Sequence, residues 1–176
     1  GKTALQNCKA LSMNEPLYFE DLAVGSQWTS QPRIITPQDV ATFAELTGDH
    51  DPLHANLDDA DDDNRFGRPI AHGLLGLSLM AGLSSRAPLV KTQALVMVQD
   101  WQFRHPIYFG DAVHAVTEVR NLRPYGKRAG RVTWFRKLVN QDGRVVQRGE
   151  IITLVSVRTP QTDSNVAADN KIMKTG

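Results

Sequence analysis

The chain has 176 residues, with 20 Lys and Arg against 19 Asp and Glu, five histidines and one cysteine. A chain of that length buries roughly 70% of its unfolded surface in one core without disulfides or a structural metal, and the lone Cys8 excludes an internal disulfide. A net charge of +1 excludes a general electrostatic pull toward nucleic acid or anionic membrane.

The longest apolar run, 70–83, includes His72 and falls short of the roughly 20 residues a spanning helix needs. The polar start lacks the charged-then-apolar build of a signal peptide. These features predict a cytoplasmic protein with one folded domain over 16–158. Residues 1–15 and 159–176 have few apolar anchors and read as flexible segments.

In chain order, 28–35 reads as a strand. A helix follows: Thr36 can cap it, Pro37 occupies its first position, and Asp39 stands three residues after the cap, where negative charge meets the helix dipole. Val40, Phe43, Ala44 and Thr47 then share one face, and Gly48 ends the helix. The acidic stretch Asp58, Asp59, Asp61, Asp62 and Asp63 reads as a solvated loop. The segment 73–85 carries no charge, and a helix apolar around its whole circumference is expected to be buried on all sides.

The rest is β. Residues 92–103 are rich in Val, Trp and Phe, and 111–122 alternate with Val113, Ala115, Thr117 and Val119 on one face. After a Pro124-Tyr125-Gly126 turn, 131–139 alternate Val132, Trp134 and Leu138 against Thr133, Phe135 and Lys137. Residues 145–157 follow the hairpin signal Asp142-Gly143. An antiparallel meander beside one apolar helix is an α+β layer arrangement, the sheet wrapping the helix. Trp28, Trp101 and Trp134 fall in β segments and read as packing residues.

Two segments carry chemistry. Thr47-Gly48-Asp49-His50-Asp51-Pro52-Leu53-His54 packs carboxylates and imidazoles around a stiffening proline. Asp49 and His54 make a workable acid/base pair, since either can accept a proton from water and the carboxylate can hold the imidazole in one tautomer. The same residues also suit an ordinary polar turn. A metal held by Asp49, His50 and His54 lacks a third histidine at zinc-like spacing. The second segment, Arg68-Pro69-Ile70-Ala71-His72-Gly73, leads into the apolar helix. Its unsatisfied N–H groups carry positive partial charge, and Gly73 lets a carbonyl oxygen approach them. His72 stands at the helix end, where histidines often hydrogen-bond locally.

With Pro106-Ile107-Tyr108-Phe109-Gly110-Asp111, these motifs resemble, in order and spacing, the MaoC-like (R)-specific enoyl-CoA hydratases over about residues 17–158. The resemblance implies a single hot-dog domain, an antiparallel sheet around a central helix, assembled as a homodimer or higher homo-oligomer. It implies addition of water to, or its elimination from, a 2-enoyl/3-hydroxyacyl thioester, acyl-CoA or acyl-carrier, with no metal or redox cofactor. Asp49 and His54 would hold the water, and Gly73 would give its N–H to the thioester oxygen.

Two positions depart from the family pattern. Asp51 stands where members commonly have Asn, which adds a carboxylate able to modulate the pair's pKa. The family's serine on the central helix has no exact counterpart in register: Ala81 takes its place, and Ser78, one turn earlier, is with His72 and Gly73 a candidate substrate-binding residue. Arg65, Arg68, Arg104, Lys127 and Arg128 are possible contacts for CoA phosphates or simply solvated cations. A thioesterase of the same fold would place an acidic residue on the helix, and 73–85 has none. A non-catalytic thioester-binding subunit would not depend on Asp49.

Overall fold

The computed structural model describes residues 15–54 and 66–158. The two terminal segments, the acidic stretch and Arg65 lie outside the described residues. The order of elements is β1 (Gln27–Thr29), β2 (Arg33–Ile34), α1 (Pro37–Thr47), α2 (Gly73–Ser84), β3 (Thr92–Phe103), β4 (Ala112–Tyr125), β5 (Ala129–Val139) and β6 (Val145–Ser156). Short 3-10 turns cover Phe19–Asp21 and Pro52–His54.

The sheet is antiparallel, in the order β1-β4-β5-β6-β3, with β2 also on β4. β4, β5 and β6 form the expected meander. The expected strand 28–35 is two short strands, because Pro32 has no N–H for the ladder. Ser30 bridges the gap: its N–H donates to the Ala115 carbonyl and its Oγ accepts from the Ala115 N–H, both at 2.9 Å. The turn after β4 also lies later than expected. Pro124 is paired within the strand, opposite Gly130, and Gly126 (φ 62°) makes the turn.

The alternation read from the sequence places the core. Val113, Ala115, Thr117 and Val119 of β4 and Val132, Trp134 and Leu138 of β5 are buried. One cluster joins Val113, Ala115 and Leu138 to Leu75 and Met80 of α2, and a second gathers Trp134, Val119, Val132, Val155 and Leu22. Burial of this kind contributes about 25 cal/mol per Å² of apolar surface.

α2 departs from expectation. It buries Leu75, Gly76, Met80 and Ser84, while Leu74 is 61% exposed and Ser78, Ala81, Gly82 and Ser85 are open to solvent. The sheet covers one stripe of this helix, not its whole circumference. No helix among the described residues is long and apolar enough to cross a membrane.

α1 is built as its sequence dictates. Thr36 Oγ1 accepts from the Asp39 N–H and the Asp39 carboxylate accepts from the Thr36 N–H, a reciprocal cap. Gly48 closes the helix in the left-handed region (φ 75°), its N–H on the Ala44 carbonyl. Val40 is buried and Phe43 packs on the core, but Thr47 is exposed and its hydroxyl donates to the Phe43 carbonyl. Burial works against the Asp39 charge, yet the Thr36 hydrogen bonds and the Arg33 guanidinium at 2.6 Å outweigh it and hold this carboxyl below its ordinary 3.8. Stability from a depressed carboxyl is complete above the unfolded value and is lost as pH falls through the folded one. Asp39→Asn should therefore lower the melting temperature at pH 7, with the gap to wild type narrowing as pH drops below 3.8. Melting curves across that range check it, and a pH-independent gap contradicts it.

Candidate active site

Asp49 follows the glycine that ends α1, His54 closes the 3-10 turn Pro52–His54, and His72 is the N-cap residue of α2. Residues 23 apart are joined by one hydrogen bond: His72 Nε2 lies 3.0 Å from the Asp49 carbonyl oxygen. A carbonyl only accepts, so this Nε2 carries the proton. His72 is 2% exposed, wedged between Phe43 (ring centroids 5.1 Å apart) and His54 (3.8 Å). Its bond is not the local one expected of a histidine at a helix end; it pins the Asp49 loop to the start of α2. Its Nδ1 is buried with no hydrogen-bond partner among the described residues.

The same logic sets His54. Its Nδ1 lies 2.7 Å from the Ile70 carbonyl oxygen, so Nδ1 holds the proton and Nε2 is left with a lone pair. A ring so fixed is a ready proton acceptor. Asp49 keeps its side chain half exposed, one oxygen 3.9 Å from His72 Nε2. Asp51 caps the 3-10 turn, its Oδ1 accepting the Leu53 N–H at 2.9 Å. His50 faces Glu45 at 4.0 Å instead of this cluster.

Ligating atoms of Asp49, His54 and His72 all lie within 4.8 Å of one another, so this trio, and not the one containing His50, is the set a metal ion could use. His72 would first have to release the Asp49 carbonyl, because its Nε2 proton is committed there.

His54 and Gly73 line one cleft of about 400 Å³, with Leu53, Ala71, Phe103, Arg104, Ile107 and Gln147 among its walls. Gly73 is the first residue of α2, and no acceptor takes its N–H among the described residues. A side chain at Gly73 would press on the Phe103 ring at 3.0 Å, so glycine keeps this wall narrow. Of the Pro106–Asp111 motif, Pro106 and Ile107 line the cleft. The Ile107 carbonyl accepts the Ala71 N–H at 2.8 Å, and buried Asp111 accepts the Tyr108 N–H and the Gln141 amide.

Ser78 is not brought to this cleft. It points from the exposed side of α2, donates back to the Leu74 carbonyl at 2.9 Å, and lines a separate depression of about 750 Å³ with Arg33 and Arg86. Of the predicted cations, Arg104 lines the cleft, Arg68 stacks on Tyr108 at 3.7 Å, and Lys127 and Arg128 lie at the β4–β5 turn. The sequence reading missed Gln147, although it is a polar residue on a face of β6 that Ile151, Thr153 and Val155 mark as inward.

The family model described as a MaoC like domain matches residues 22–137. A 3-hydroxybutyryl-CoA dehydratase of Methylorubrum extorquens is 40% identical over 114 residues, 64% of this chain and 70% of that protein. An (R)-specific enoyl-CoA hydratase of Rhodospirillum rubrum is 34% identical over 142 residues, 80% of this chain and 93% of that protein. A Mycobacterium tuberculosis protein solved as a double hot-dog fold superposes with a TM-score of 0.65 at 22% identity, over 85% of this chain and 46% of that one. That likeness shows the expected hot-dog fold.

The two carbonyl contacts make an assignable prediction. Nitrogen-15 imidazole spectra of the neutral rings should show the Nδ1–H tautomer for His54 and the Nε2–H tautomer for His72. The reverse assignment for His54 would leave its Nε2 without a lone pair and contradict the site as described.

Proposed function

The chain belongs to the MaoC-like domain family, its residues 22–137 matching the family model, and from that premise we propose that it adds water to a 2-enoyl thioester, or removes it from the 3-hydroxyacyl product. The observation that carries this reading is that His54 and Gly73, the first residue of α2, line one cleft. The names of the two enzyme relatives support the same chemistry.

In the proposed step, a water molecule sits between Asp49 and His54. The His54 Nε2 lone pair takes one proton as the water oxygen bonds to Cβ, and the Asp49 carboxylate accepts a hydrogen bond from that water. The C=C electrons move toward the thioester, and the Gly73 N–H holds the negative oxygen. His54 then returns its proton to Cα, so one water has been added and both groups are restored. Positioned proton transfer contributes about 10²–10⁴-fold, and an oxyanion donor about 10²–10³-fold. Together they account for an effective hydratase; neither does so alone.

The substrate is an acyl-CoA, and the unit is a homodimer. β3 is a sheet edge whose Leu95, Val96, Met97 and Val98 are all exposed, and Phe103 at its end is 54% exposed. An uncovered apolar edge strand invites another strand, and a second copy supplies one. Sedimentation should give a dimer that Leu95→Lys shifts toward monomer; a monomeric wild type contradicts it.

The activity test follows the loss of enoyl absorbance with crotonyl-CoA. Wild type should turn over, with Asp49→Asn and His54→Ala each at least about a hundredfold slower, the scale of positioned proton transfer. Turnover that survives either change would move the chemistry elsewhere. A wild type that binds the ester without turnover would favour a non-catalytic thioester-binding subunit.

A further inference from the structure

A helix start made of glycine is a poor place to fix a hydrogen-bond donor. Gly73 has the widest backbone freedom of any residue, and His72 before it makes no side-chain cap. A donor that must stabilise a developing charge has to be aimed in advance. Something outside α2 has to hold its first turn.

Gln147 is placed to do so. It is 2% exposed on the inner face of β6, where a buried amide is costly unless both ends are bonded. Both are. Gln147 Nε2 donates to the Gly73 carbonyl at 2.9 Å, and Oε1 accepts from the Trp101 indole N–H at 3.2 Å. The indole only donates and the carbonyl only accepts, so the amide has one orientation.

Three backbone features serve this bridge. Gly76 has no side chain where a Cβ would collide with the Gln147 amide nitrogen. Asp100 holds φ 51° within a bulge of β3 between Gln99 and Gln102, and bulges re-aim side chains. Gly149 lets β3 come close there, since a Cβ would lie 2.8 Å from Trp101 Cα. The bulge turns Trp101 inward, Trp101 anchors Gln147, and Gln147 anchors Gly73.

We propose that Gln147 is a positioning residue that fixes the first turn of α2 and so aims the Gly73 N–H into the cleft. The proposal rests on the reading of Gly73 as the donor to the thioester oxygen. Gln147 touches no reacting atom; it acts through Gly73.

The test measures kcat and KM with crotonyl-CoA for wild type, Gln147→Leu, Gln147→Glu and Gly76→Ala. Gln147→Leu and Gly76→Ala should each lower kcat by roughly 10–100-fold, the scale of a misplaced catalytic group, with KM changed less than about threefold. Gln147→Glu should match them at pH 8, where a carboxylate cannot donate to the carbonyl. Its activity relative to wild type should recover as pH falls, because the protonated acid donates again and burial raises its pKa above the usual ~4.3. A rise in KM alone, a wild-type kcat in Gln147→Leu, or no pH recovery in Gln147→Glu would overturn the proposal. If wild type itself shows no turnover, the hydratase reading fails and the bridge is decided by amide hydrogen exchange. Faster exchange in the first turn of α2 for Gln147→Leu supports it, and unchanged exchange overturns it.

Discussion

The contact between His72 and the Asp49 carbonyl governs the arrangement of this site. One buried imidazole joins the loop after α1 to the start of α2, two segments that the chain itself keeps 23 residues apart. The same ring packs on His54 with centroids 3.8 Å apart and planes tilted by 31°, while His54 Nδ1 meets the Ile70 carbonyl. The Ile70 carbonyl then decides which nitrogen of His54 stays basic. A buried hydrogen bond of this kind contributes about 1 kcal/mol net, while leaving the carbonyl unpaired costs about 1–3. Its effect is on position as well as stability: His54 and Gly73, whose N–H meets no acceptor among the described residues, line one cleft.

The same economy explains α2. A helix crossing a sheet can bury only the stripe that faces it, and Leu75, Gly76, Met80 and Ser84 are that stripe. The opposite stripe carries no charge either, but it is smaller and more polar, with Leu74, Ser78, Ala81 and Gly82 facing solvent in a single copy. The exposed edge of β3, with Leu95, Val96, Met97 and Val98 open, is the larger apolar surface, and it is the one the proposed second copy would cover.

Much of this was legible in the sequence. The cap at Thr36 and Asp39, the αL stop at Gly48 and the period-2 pattern of β4 and β5 are local rules, and they placed those elements within a few residues. The Asp49, His54 and Gly73 motifs were legible through spacing and family resemblance. What was not legible depends on partners far away in sequence. Nothing near His72 signals that it bonds Asp49, and uniform apolarity of 73–85 hides which stripe the sheet covers. Ser78 shares the helix with Gly73 but points the other way, a consequence of helical phase relative to the sheet. Gln147 could have been flagged as a polar residue at an inward position, but its two partners lie 46 and 74 residues away.

In the proposed reaction a single thioester lies with its carbonyl on the Gly73 N–H and its reacting carbon beside His54. A crystal structure with a bound 3-hydroxyacyl-CoA tests this directly. The thioester oxygen should lie within about 2.7–3.2 Å of the Gly73 nitrogen, with the 3-hydroxyl between Asp49 and His54 Nε2. A thioester oxygen held by any other donor, with the hydroxyl away from His54, would contradict it.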